Sequence, residues 1–203
     1  MNQQLAAVMY SYGAEGTIKI QPINRPQVSP GKVIVEIAAA GVNPLDWKLR
    51  DGLLKHIFPL TFPCILGGEF AGKIVEVGAG VTTFNVGDRV IGKPVNRGAF
   101  AETIEIEPEL LIPIPDDLDE TVAATLPVAG STAWTGLFDI GELTAGQTVL
   151  IQGAAGGVGL WLFLWLIAQG QRSSLRLRKK TEIMSSHWVP QMSLTITTLM
   201  PYR

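Results

Sequence analysis

Along the chain the spacing of apolar and polar positions changes twice. From Met1 to about Pro115 apolar residues come in short runs broken by Gly, Pro, Asn and Asp, and helical periodicity is nearly absent. That pattern predicts an all-β unit with tight turns. The run from Lys32 to Ala40 is β-branched and follows the turn signal Ser29-Pro30-Gly31; Gly72 to Gly78 and Asp88 to Gly92 repeat the theme, with a turn at Asn85 to Asp88. Near Pro113 the pattern shifts: Asp116 to Glu120 reads as an acidic helix start, and Thr121 to Phe138 predicts one or two helices. Thr148 to Gln152 then reads as a short apolar strand, followed by glycines and a helix from Gly156 to about Gln169.

Composition adds limits. The single cysteine, Cys64, excludes an intrachain disulfide and a Cys-rich structural zinc site. The run Leu160 to Ala168 is nine residues long, whereas a membrane span needs roughly 20, so it predicts a buried helix. With no secretory pattern at the N-terminus, the expected setting is cytoplasmic, without membrane partners. Residues 1 to 170 carry 10 Lys/Arg and 17 Asp/Glu, net −7, whereas residues 171 to 203 carry 6 Lys/Arg and 1 Asp/Glu, net +5.

The chemistry concentrates in the stretch Ile151 to Gly159, IQGAAGGVG. A strand, a glycine turn and an apolar helix in this order form a dinucleotide fingerprint. Gly153 turns the chain off the strand, Gly156 and Gly157 allow close approach of a pyrophosphate, and Gly159 allows helix and strand to pack closely. A Gly/Ala-rich turn without a ligand is the plain alternative.

Upstream stand Asn43-Pro-Leu-Asp-Trp-Lys-Leu-Arg, Leu66-Gly-Gly-Glu-Phe-Ala-Gly-Lys and Phe84-Asn-Val-Gly-Asp-Arg-Val. Together with the glycine turn, over about residues 5 to 170, they resemble the medium-chain dehydrogenase/reductase superfamily, and within it the zinc-independent quinone oxidoreductases, the zeta-crystallin-like branch. The resemblance implies an α+β chain with an α/β start: a GroES-like β-barrel catalytic domain over residues 1–120, the beginning of a Rossmann NADP-binding domain over 121–170, and a non-family tail over 171–203, disordered or misfolded. It also implies reduction of a quinone or conjugated enone by NADPH, with NADH not excluded. Asn43 and Asp46 are the implied catalytic residues; Thr132, Gly153, Ala154, Ala155, Gly156, Gly157, Val158 and Gly159 are the implied cofactor contacts. An Asn-Pro-x-Asp turn holding its own backbone is the competing account of Asn43 and Asp46, and packing inside a helix that of Thr132. Glu69 lies beside the family's cleft, or is a plain turn or salt-bridge residue.

No metal is expected. Gly67-Gly68-Glu69 has glycine where zinc-dependent relatives place a histidine, Val42-Asn43 stands where a cysteine is expected, and His56 and His187 have no partners at ligand spacing.

After Gly170 the resemblance ends. Arg172 to Lys180 lacks a β-branched run and reads as a poor second strand for a sheet buried on both faces. From Gln171 the next reading frame, with suitable synonymous codons, gives the strand, turn, helix and strand that the family places there, so a frame shift near Gly170 is the expectation. Such a shift leaves an impaired enzyme, or a non-catalytic barrel acting as an interaction module. Family members are usually homodimers, and this chain is expected not to pair. A solvated extension and an anion-binding patch at Arg176 to Lys180 are the other readings of the tail; a nucleic-acid partner is not expected.

Overall fold

The computed structural model describes residues 3–13, 18–170 and the backbone of 172–176. They divide into two compact units, Met1–Val128 and Ala129–Arg203. The division falls eight residues later than the sequence boundary at 120. The reason is packing: Ala123 and Ala124 are buried against Ala71, Ile91 and Ile114 of the first unit, so the first helix after the strands stays with them.

In the first unit the short apolar runs become strands. They are β1 (Gln3–Met9), β2 (Ile18–Asn24), β3 (Val33–Ala40), β4 (Cys64–Ile65), β5 (Phe70–Val77), β6 (Arg89–Gly92), β7 (Thr103–Ile106) and β8 (Leu111–Pro113). Five form an antiparallel sheet in the order β7-β3-β5-β6-β8, and three form a second in the order β2-β1-β4. Backbone bonds from Ala7 N–H to Phe100 O and from Glu102 N–H to Leu5 O join the two sheets.

Position in the sheet explains the burial patterns. β3 and β5 are central, so Val33, Ile34 and Val35 are buried in succession rather than alternately, as are Phe70 and Ala71. β1 alternates, and β2, at an edge, is largely exposed. Val33, Val35, Phe70, Ile74, Val90, Ile104, Ile106 and Leu111 form the main core. Each large side chain closed off there contributes about 1.5–3 kcal/mol relative to exposure.

The turn at Asn85 to Asp88 forms as expected, with Asp88 Oδ2 accepting from Asn85 N–H at 2.8 Å. The strands are interrupted by a short 3-10 turn at Pro108–Leu110 and by an α-helix, α1 (Pro44–Arg50), where almost no helical pattern is visible in the sequence. The acidic helix start is also found: α2 (Glu120–Ala123) is capped by Asp119, whose Oδ1 accepts from the Thr121 N–H at 2.8 Å and from the Thr121 hydroxyl. Arg89 holds the chain leading into α2, donating to the Pro115, Asp116 and Leu118 carbonyls and pairing with Glu120 at 2.8 Å.

A wide, π-type helical turn at Leu126–Gly130 runs across the division; the second unit then carries α3 (Ser131–Trp134), a second such turn at Thr135–Ile140, β9 (Thr148–Gln152) and α4 (Gly157–Ala168). Trp165 of α4 packs edge-on to Trp134 of α3, centroids 5.1 Å apart, and its indole N–H donates to the Gly130 carbonyl at 3.0 Å. After α4 the chain returns as β10 (Arg172–Arg176), parallel to β9 with Arg172 opposite Thr148 and Arg176 opposite Gln152.

The structure departs from expectation at two places. Arg172 to Arg176, read as a poor strand, is a strand. Ladder bonds come from the backbone, which any residue but proline supplies, and a β-α-β connection brings the chain back alongside β9 whatever its side chains. Residues 177–203, the rest of the expected tail, lie outside the described residues. The run Leu160 to Ala168 is a helix, but it is not buried throughout: Leu166 is fully closed off while Leu160 is 52% exposed. A helix apolar on every side needs cover on every side.

Candidate functional site

The implied site residues fall into two groups, one in each unit. In the first, the sequence after β3 starts α1 with a proline at its first position and Asn43 in extended conformation as N-cap. The Asp46 carboxylate, buried, reaches back to accept from the Asn43 backbone N–H at 2.7 Å. This is the acidic half of a capping box. For Asp46 the geometry therefore matches the turn that holds its own backbone.

Glu69 completes the group. It precedes β5, is 2% exposed, and accepts from Asn43 Nδ2 at 2.6 Å and from the Val128 backbone N–H at 2.7 Å. The contact fixes which end of the Asn43 amide is which, since a carboxylate needs a donor. Burial pushes the Glu69 carboxyl above its usual range, the bonds from Asn43 and Val128 work against that, the nearby Asp46 charge adds to the rise, and Lys93 opposes it. Among the described residues no Lys or Arg lies within ion-pair distance of it, so the salt-bridge reading does not hold. A lone acid inside the apolar run Ile65-Leu-Gly-Gly-Glu-Phe-Ala-Gly is the signal that places Glu69 in the core.

Around α1 apolar side chains stay in solvent: Leu45, Trp47, Leu53, Ile57 and Phe58 are all exposed. Lys48 Nζ stands 5.7 Å from the Trp47 ring centroid.

In the second unit the glycine turn has the shape its sequence requires. Gly153 sits at φ 72°, a conformation that disfavours a side chain, and its carbonyl accepts from Gly156 N–H at 2.9 Å. A Cβ at Gly159 would collide with the Gly153 carbonyl and Ala154, so helix and strand approach as closely as the fingerprint demands. The first bond inside α4 runs from Leu160 N–H to Gly156 O at 2.8 Å, leaving the amides of Gly157, Val158 and Gly159 at the positive end of the helix. No acidic residue stands in that first turn. Gly153, Ala155, Gly156, Gly157 and Val158 are exposed, Ala154 and Gly159 buried. Exposed amides without side chains over them fit a pyrophosphate. Thr132 lies exposed on α3 of the same unit. Among the described residues no three His, Cys, Asp or Glu side chains gather where they could hold a metal, and no helix is long and apolar enough to cross a membrane.

Residues 29–116 match the alcohol dehydrogenase GroES-like domain. The chain is 35% identical over 158 residues to the chloroplast envelope quinone oxidoreductase homolog of Arabidopsis thaliana, covering 74% of this chain and 47% of that protein. Among solved structures, the CurK enoyl reductase superposes with a TM-score of 0.79 at 31% identity, over 87% of this chain and 55% of the other. A mycobacterial protein solved in complex with NADPH gives 0.76 at 32%, over 87% and 53%. The chain thus spans about half the length of the relatives it matches. The chain belongs to the medium-chain dehydrogenase/reductase superfamily, in its zinc-independent quinone oxidoreductase branch.

Proposed function

We propose that the chain carries the substrate-side and pyrophosphate-side elements of an NADPH-dependent reductase of quinones or conjugated enones, working without a metal. The observation that carries this reading is the glycine turn, with Gly153 at positive φ, no room for a side chain at Gly159 and exposed amides at the start of α4. When bound, NADPH supplies a hydride. The chain's own residues bind and orient. The amides of Gly156, Gly157 and Val158 take the pyrophosphate oxygens, and Thr132 is a further contact on the cofactor side. Asn43 donates its second Nδ2 hydrogen, the first being given to Glu69, to the carbonyl of the acceptor; Asp46 holds Asn43 at the helix start, and the exposed apolar side chains around α1 favour a flat, apolar acceptor and keep water from it. The proton that completes the reduction comes from solvent.

The test is NADPH binding, followed by cofactor fluorescence on the purified chain, with Gly157→Asp as its control. A Cβ at Gly157 meets only Ala129, at 3.8 Å, and an acid in the first helical turn favours the helix, so the variant keeps its fold. Its carboxylate repels a pyrophosphate. Binding that disappears in the variant supports the reading, and binding unchanged by it overturns the placement.

A second reading has its own observation. α4 leaves Leu160 exposed and β9 leaves Leu150 exposed, surfaces that in a doubly wound sheet lie under neighbouring elements. On this reading the first unit is a folded, non-catalytic module and the turn binds nothing. A stable first unit with no NADPH binding would favour it.

A further inference from the structure

Two carboxylates are buried in the first unit among the described residues, Asp46 and Glu69. Asp46 serves the backbone of Asn43. Glu69 has a different arrangement, because both of its oxygens face donors: Oε1 the Asn43 Nδ2 and Oε2 the Val128 N–H. It also has no spare room on its Gly41 side. A Cβ added at Gly41 would lie inside contact distance of the carboxylate, which is therefore seated directly on that backbone.

Such a seat has two states. As a carboxylate, Glu69 accepts from both partners. As an acid it carries one O–H, and the oxygen bearing it then faces a second donor instead of offering an acceptor. One of the two bonds must change. Val128 N–H is fixed by the helical backbone around it. The Asn43 amide can turn about its own side-chain bond, giving up as it does the capping-box contact of its side chain with the Asp46 backbone N–H.

We propose that Glu69 is a proton-linked positioning residue for Asn43: ionised, it holds the Nδ2 end of the amide inward, and protonated on Oε1, it donates to Oδ1 and turns the amide over. The proton is taken from and returned to solvent. The turn exchanges the donor and acceptor ends that Asn43 shows to anything bound beside it. Asp46 from α1 and Lys93 after β6 are the charged groups that act on Glu69, the first favouring the acid and the second the carboxylate, while its burial favours the acid. The consequence for catalysis rests on the proposed role of Asn43; the switch itself does not.

The full chain, labelled with nitrogen-15 and carbon-13, tests this without any ligand. The Asn43 side-chain amide and the Glu69 carboxyl carbon are followed from about pH 4 to about pH 9, a range that brackets an elevated carboxyl, with Asn43→Ala identifying the amide signal. Both signals are expected to move together, through one midpoint above the ordinary carboxylate range. Glu69→Gln, whose amide supplies one acceptor and one donor, is expected to hold the Asn43 signal at its acid position throughout. A Glu69 midpoint that Asn43 does not follow overturns the proposal, as does an Asn43 signal in Glu69→Gln that still titrates. Should that variant fail to fold, the wild-type titration decides alone. NADPH fluorescence on the same sample separates the two claims: a shared midpoint without NADPH binding leaves the switch standing and the functional reading fallen, and binding without a shared midpoint does the reverse.

Discussion

In the first unit Phe70, Ile74, Val90 and Val33 are each closed from solvent around a five-stranded sheet, whereas in the second the most apolar helix of the chain leaves Leu160 half exposed and Leu150 of the adjoining strand more than half. The second unit is the richer in large apolar side chains along α4, yet among its described residues the buried hydrophobics are Ala129, Ala133, Leu137, Ile151, Ala154 and Leu166, and just one of them, Leu166, belongs to α4. Apolar content supplies the driving force for burial, but burial also needs opposing surface. Five strands and a second sheet supply it in one unit; among the described residues of the other, a two-stranded sheet, α4 and a few helical turns supply it.

That contrast breaks most visibly at the cores. Phe70→Ala is expected to cost about 3–5 kcal/mol and to unfold the first unit, read by chemical denaturation. Leu166→Ala is expected to cost about 2–5 kcal/mol but to act on the second unit alone, leaving the earlier signals of the first unit intact in an exchange experiment. A single cooperative transition lost in both variants would show that the two regions do not behave separately. Next in size is Trp165→Phe, which removes the bond to the Gly130 carbonyl and is expected to cost about 1 kcal/mol in the second unit. Leu160→Gln sharpens the comparison from the other side: at an exposed position it shifts stability by no more than about 0.5 kcal/mol, and it reduces self-association measured by sedimentation.

The smallest effect is one of pH, and it belongs to the first unit. Glu105 is held below the usual carboxylate range by its hydrogen bond with Ser29 and by Lys32, and Glu107 by its bond to Lys32. A depressed carboxyl stabilises the fold above its unfolded pKa, and that contribution fades as pH falls through the folded value. Lys32→Met is therefore expected to flatten the acid side of the first unit's melting temperature against pH, by a small amount because the groups are partly exposed.

Much of the fold is legible in the sequence where local chemistry decides. β3, β5, β6 and β9 follow β-branched runs, α2 follows its acidic cap, and Gly153 to Gly159 adopts the backbone its spacing implies. The elements that are not legible are set by partners distant in sequence. α1 has no periodicity to announce it and forms on its cap. β10 is made by the backbone of β9. Glu69 acts through Asn43, 26 residues upstream, and Val128, 59 downstream, a junction that only the folded strands create. The same limit applies to the exposed half of α4: the sequence shows how apolar it is, and only the structure shows how little stands against it.

Arg89 ties strand β6 to three carbonyls and a carboxylate between Pro115 and Glu120. All of these groups precede the glycine turn in the chain. The first unit thus has this fastening in hand upstream of the glycine turn, and the later bond from Val128 N–H to Glu69 closes it at its own last residue. A strand fastened at that point carries its own anchor, so that substitutions downstream of Val128 are expected to reach the glycine turn without loosening β6.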